Sequence, residues 1–226
     1  MSLVMLEFDI KKFLETPIDA FDFQFMIADV KDFLEFSESK IDLHYRNELQ
    51  CIAHREDLDD FPPEYQYHLE QNADHRFKVR LPLRVRYGAL LTFITSVEWA
   101  VALLNKCSKN PAPKKKKVDK TNLTVHILRQ LSSSTCVDPR SVIDDYEALV
   151  QIRNCIAHSA GVVATYEHKV DMPKSVARIE GVSIENWHFL GDQICIERGA
   201  LEGYIDQTAS LVVELHSKMR SQGLLE

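Results

Sequence analysis

The sequence predicts a mainly α-helical protein, a helical bundle that carries one small β-hairpin. Glycine and proline are scarce, at 7 and 8 of 226 residues, so the chain encodes few turns. Apolar residues make up 45% of the chain, which is enough for a sizeable core. They recur mostly at three- and four-residue spacing, as in helices, whereas a β-sandwich or barrel needs a turn signal every several residues.

The first third of the chain predicts one or two long helices across residues 17–56. Thr16 and Pro17 have the residue types of an N-cap and a first helical residue. Apolar residues then follow at helical spacing: Phe23, Ile27, Val30 and Leu34. The prolines at 62 and 63 end this region, and a short helix is expected to begin there.

An apolar stretch, GALLTFITSVEWAVALL at 88–104, predicts the central helix of the core. We expect this helix to begin near Pro82 and to run to about Lys106. The stretch is short for a bilayer and carries Glu98 in its middle, so no membrane span is expected. The lysine run Lys114–Lys117 predicts a solvated loop, with contact to an RNA backbone as the alternative.

The second half of the chain predicts three more helices and the hairpin. NLTVHILRQL at 122–131 is typical of a short amphipathic helix, and Asp138 before Pro139 predicts the N-cap of a longer helix that Gly161 ends. VSIENWHFLGDQICIERG alternates apolar and polar residues, as a hairpin does, and a final amphipathic helix follows. We divide the chain into an N-terminal helical extension, residues 1–80, packed on a bundle domain, residues 81–226.

Charge and cysteine content narrow the classes of function. The net charge of −7 argues against a protein that coats nucleic acid non-specifically, but it leaves room for one local basic cleft. The five cysteines are odd in number and widely spaced, with no Cys-x-x-Cys, so neither a disulfide framework nor a zinc site is expected. Acids interrupt the first apolar run, MSLVMLEFDIKKF, which argues against a signal peptide. These features predict a cytoplasmic protein.

The stretch IRNCIAHSAG, residues 152–161, contains the candidate catalytic residues Arg153, Asn154 and His158. On a helix, Asn154 and His158 share a face, and Arg153 lies roughly 140° from His158. An imidazole can transfer protons near neutral pH, and a guanidinium can hold phosphate oxygens. RNA supplies its own nucleophile, the ribose 2′-hydroxyl, so the pair suits RNA cleavage without a metal or cofactor. The sequence shows no cluster of carboxylates and histidines at metal-ligand spacing.

The stretch LVQIRNCIAHSAG resembles the signature of the HEPN superfamily, the higher eukaryote and prokaryote nucleotide-binding domains. In that signature an arginine is followed, after four to six residues, by a histidine, and a polar residue, often asparagine, comes directly after the arginine. Arg153, Asn154 and His158 fill these positions. The order of predicted elements over roughly 80–220 is also similar to that of the family.

The resemblance implies an all-α bundle and, as in many members, a metal-independent endoribonuclease with two motifs facing each other in a homodimer. His158 would then move the proton of the 2′-hydroxyl or of the leaving oxygen, Arg153 would hold the scissile phosphate, and Asn154 would orient the site. The acid that often supports the motif would correspond to Glu98. Such a protein would act on RNA as a toxin or phage-defence effector, with an antitoxin protein as a further partner.

Two other functions stay open at this point. Some family members bind nucleotides or scaffold partners without cutting RNA, so a non-catalytic HEPN-like module that binds a nucleotide or a protein is the alternative. A purely structural helical interaction protein is the third possibility. Cys155, inside the motif, is expected to be a packed small residue rather than a nucleophile.

A near-echo of the motif, YRNELQCIAHRE at 45–56, repeats the tetrad Cys-Ile-Ala-His. Seven residues separate Arg46 from His54, which is outside the family spacing, and a proline-rich segment follows. We therefore expect His54 to take no part in catalysis. The other histidines of this half form no convincing ligand spacing and are expected to be surface or core residues: His44, His68 and His75.

Overall fold

The computed structural model describes residues 20–55, 61–112, 122–187 and 191–225. Within these ranges the chain forms a helical bundle with one two-stranded antiparallel sheet, which confirms the predicted fold class. The predicted cap at Thr16 and Pro17 and the lysine run Lys114–Lys117 lie outside the described residues.

Helix α1 spans Ala20–Ala53 and is a single helix of 34 residues, where the periodicity predicted one or two long helices. Its first half buries the apolar residues of the predicted stripe in the main core, beginning with Phe23 and ending with Leu34. Its second half packs on a separate small cluster, in which Ile52 contacts Ala73 and Phe77. The helix therefore joins the bundle at one end and a minor apolar cluster at the other.

A second long helix runs without a break from Pro63 to Cys107. It consists of α2, Pro63–Asp74, a π-helical segment, His75–Arg80, and α3, Leu81–Cys107. The prediction that a helix begins near Pro82 is wrong, since Pro82 lies inside this helix. The backbone widens just before it, where the Leu81 N–H donates to the Arg76 carbonyl. The wider π turn accommodates a proline ring that would otherwise clash with the preceding turn.

Among the described helices, one, Glu64–Cys107, is apolar and long enough to cross a membrane by composition and length alone. Its most apolar window has a mean hydropathy of 1.6, and 61% of that window is buried inside the protein. A helix at the centre of a bundle has the same composition because neighbours surround it. The helix is therefore weak evidence for a membrane span.

Helices α4, Leu123–Thr135, and α5, Arg140–Ser159, follow. Asn122 caps α4, because its side chain accepts backbone N–H bonds from the first turn. At the start of α5 the predicted cap is displaced by one residue. Pro139 occupies the N-cap position, and the Asp138 carboxylate accepts the backbone N–H of Arg140 at 3.4 Å.

The C-terminal part contains the predicted hairpin and last helix, together with two short elements that the sequence did not predict. The strands β1, Val182–Trp187, and β2, Gly191–Ile196, pair antiparallel. The final helix α7 spans Glu202–Ser221. A 3-10 turn at Val163–Thr165 and helix α6, Met172–Arg178, precede the hairpin and are too short to show a periodicity.

Helix α1 is also held to the rest of the protein by a buried charge. The Glu38 carboxylate receives Arg86 of α3 at 2.6 Å and Arg198, in the loop after β2, at 2.8 Å. Lys31 and Asp206 add an exposed pair between α1 and α7. The division of the chain near residue 80 stays a prediction, and the long helix crosses that point continuously.

Candidate active site at the end of helix α5

Arg153 of the motif faces helix α3 and forms an ion pair with Glu98. Its Nη2 donates to the Glu98 carboxylate. Only 18% of the Arg153 side chain and 30% of the Glu98 side chain are exposed. The Nε of Arg153 is buried and has no hydrogen-bond partner among the described residues. A charge-assisted bond between two helices fixes the guanidinium in position. Glu98, the acid that the resemblance assigned to the motif, is thus the ion-pair partner of Arg153.

Two buried tyrosines surround this ion pair. Tyr146 lies seven residues before Arg153 on α5, and Tyr166 lies beyond the helix end. Burial raises the pKa of both phenols; the Glu98 charge adds to the effect at Tyr146, and the Arg153 charge opposes it at both tyrosines. Both hydroxyls are therefore neutral at physiological pH. The Tyr146 hydroxyl is buried without a partner among the described residues.

Asn154 and His158 lie on the outer side of α5. His158 is exposed and Asn154 is partly buried, and neither side chain makes a hydrogen bond within the described parts of the chain. The structure turns Arg153 towards α3 and His158 towards solvent, so one chain does not pair the two side chains directly. One copy of the motif presents a single accessible imidazole.

The turn that follows His158 is held rigidly by α3 and β2. Ala160 and Gly161 both adopt left-handed backbone conformations, with φ of 51° and 84°. The Ala160 carbonyl accepts a bond from Arg84 at 3.4 Å, and the Gly161 carbonyl accepts the Ile194 N–H at 2.9 Å. Tyr87 packs so closely that a Cβ at Gly161 would lie 2.8 Å from its Cζ. Glycine is required here by both conformation and space.

Other chemistry around the motif is limited. Cys155 is fully buried, and burial raises the pKa of its thiol to about 11, so it is a packed residue as expected. Within the described ranges, no group of three or more His, Cys, Asp or Glu side chains could hold a metal ion. Two surface grooves, of 610 and 590 Å³, lie elsewhere, at the start of α5 and between α1 and α7.

Sequence reasoning missed three residues that shape the site: Tyr146, Tyr166 and Arg84. A seven-residue spacing places Tyr146 on the same helix face as Arg153, and this signal could have found it. Arg84 and Tyr166 reach the site only through tertiary packing and left no local signal.

No family model, curated protein or solved structure matches this chain. The resemblance to the HEPN superfamily therefore stays a prediction, and it depends on the motif residues.

Proposed function

We propose that the protein is a metal-independent endoribonuclease of HEPN type that acts as a homodimer. One observation carries this proposal: the last two turns of α5 hold an anchored guanidinium and an exposed imidazole. Arg153 is held by Glu98, and His158 precedes a helix end that α3 and β2 hold in place. This combination suits a phosphodiester, which needs both charge stabilisation and proton transfer.

In the proposed reaction, the ribose 2′-hydroxyl attacks the adjacent phosphorus and gives its proton to His158. The bond to the 5′-oxygen of the next nucleotide breaks, and that oxygen receives a proton from the second copy's His158. The products are a 2′,3′-cyclic phosphate and a 5′-hydroxyl. Arg153 donates to the phosphate oxygens as charge develops on them, and Asn154 orients the substrate from the face it shares with His158.

The homodimer follows from the need for two proton-transfer groups. A two-fold axis beside the end of α5 would supply a second His158, because such an interface places the same patch on both subunits. The exposed neighbours Ala157 and Ala160 are small and would allow close approach. The two Arg153 side chains would also flank the groove between the subunits, each with its charge already paired by Glu98.

Sedimentation should therefore show a species near twice 26.0 kDa. A stable monomer that still cleaves RNA would contradict the dimer, as would a dimer that places its two His158 side chains on opposite surfaces.

His158→Ala is expected to reduce cleavage of bulk RNA in EDTA at least about hundredfold, because it removes the proton-transfer group. The variant should stay folded, since the side chain is exposed. His44→Ala, at an exposed position on α1, is the matched control. The wild-type products should carry cyclic phosphate ends.

A wild-type protein that is inactive in EDTA, or a His158→Ala variant that cuts equally well, would refute the proposed mechanism. Nucleotide or protein binding by a folded, inactive wild type would favour the non-catalytic alternative.

A further inference from the structure

The long helix carries a concentration of positive charge in an otherwise acidic chain. Residues 75–97 contain five lysines and arginines and no acid, while the net charge of the whole chain is −7. Two of these cations are neutralised: Lys78 by Asp74 at 2.9 Å and Arg86 by Glu38 at 2.6 Å. Three arginines remain that are exposed and form no salt bridge within the described residues: Arg76, Arg80 and Arg84.

These three residues, here called the arginine stripe, follow one another at four-residue intervals. Neighbouring members are therefore about one helical turn apart along the axis. The stripe begins in the π-helical segment and ends where Arg84 bonds the carbonyl of Ala160. Ala160 is two residues beyond His158, so the stripe leads to the end of α5 that carries the candidate catalytic histidine.

An exposed aromatic pair lies at the other end of the same helix face. Tyr65 is eleven residues, or about three turns, before Arg76, which places the two on one side of the helix. Its ring stacks on Phe61 with centroids 4.8 Å apart, and both rings are exposed. The positions between them on this side, His68 and Asn72, are also exposed and polar.

We propose that this face, from the Phe61–Tyr65 pair to Arg84, binds single-stranded RNA and guides it to His158. Guanidinium groups hold successive backbone phosphates, and exposed aromatic rings stack on unpaired bases. The combination favours a single strand over a duplex, whose bases are already stacked, and over an acidic protein, which has no bases to stack. The destination of the strand rests on the proposed function, whereas the binding surface itself does not.

The test compares two double variants that each change the net charge from −7 to −9. Arg76→Gln/Arg80→Gln removes two members of the arginine stripe. Lys174→Gln/Arg220→Gln removes two exposed cations from α6 and α7 and is the control. The probe is a short fluorescein-labelled 2′-O-methyl RNA, which lacks the nucleophilic hydroxyl and so reports binding without cleavage. Fluorescence anisotropy over a series of salt concentrations gives the affinity.

We expect the stripe variant to bind roughly tenfold more weakly and its salt slope to fall by about 1.4, which is two contacts at about 0.7 each. The control variant should bind within about twofold of wild type. Tyr65→Ala should weaken binding several-fold and leave the salt slope unchanged, because stacking releases no counterions.

Three results would overturn the proposed RNA-binding face. They are no binding by wild type, equal losses in both double variants, or equally tight binding of a polyglutamate peptide or anionic lipid vesicles. The outcomes for the two proposals are separable. If the stripe variant loses binding while His158→Ala still cleaves, the RNA-binding face is supported and the proposed mechanism is refuted. If His158→Ala loses cleavage while the stripe variant binds normally, only the RNA-binding face is refuted.

Discussion

The tetrad Cys-Ile-Ala-His occurs twice, at 51–54 near the end of α1 and at 155–158 near the end of α5. Both copies turn isoleucine inward, with 5% of Ile52 and of Ile156 exposed, and both expose histidine. They differ in the cysteine: Cys51 is exposed, whereas Cys155 is fully buried. The first copy packs only against the minor apolar cluster, through Ile52, whereas the second copy packs into the main core.

The arginines that precede the two copies differ in the same way. Arg46 is exposed and bonds the Asp42 carbonyl of its own helix, at 3.3 Å. Arg153 is mostly buried and bonds Glu98 on another helix. A side chain that bonds only its own helix can change rotamer at little cost, whereas a bond between helices holds it in place. The tertiary setting, rather than the shared tetrad sequence, makes the second copy a candidate site.

The largest difference that we expect between the copies is in thiol reactivity. Because burial raises the pKa of Cys155 to about 11, only about one molecule in a thousand carries its thiolate at pH 8, and the side chain is also shielded. Alkylation followed by peptide mass spectrometry should label Cys155 at least about a thousandfold more slowly than Cys51 in native protein. In urea the two should react alike. Comparable native rates would mean that α5 is not packed as described.

A smaller but clear effect should follow from changing the turn that only the second copy possesses. Gly161→Ala forces a Cβ against Tyr87 at φ 84° and should destabilise the protein by about 2–4 kcal/mol. Gly203→Ala is the matched control, because its Cβ would meet nothing within 4 Å in helix α7, and it should stabilise by about 0.5–1 kcal/mol. Urea unfolding followed by circular dichroism measures both. Equal stability of the two variants would show that the turn is not constrained.

The smallest effect is expected from His54→Ala. The imidazole is exposed, and its Nδ1 lies 2.7 Å from the Gln50 carbonyl of its own helix, so its loss should cost less than about 0.5 kcal/mol. RNA cleavage should stay within about twofold of wild type. A loss as large as that of His158→Ala, in a folded variant, would show that the first copy also acts.

The sequence by itself determined the long helical segments apart from the start of the one that contains Pro82, where the hairpin lies and where α5 ends. Those features depend on local signals: apolar spacing from Phe23 to Leu34, alternation in the hairpin, and a glycine at 161. Tertiary structure alone decided that Pro82 lies within a continuous helix and that Arg153 pairs with Glu98, 55 residues earlier. It also decided that Cys155 is buried while Cys51 is exposed. The physical reason is that periodicity shows which face of a helix is apolar, whereas the partner that covers this face comes from distant segments of the chain.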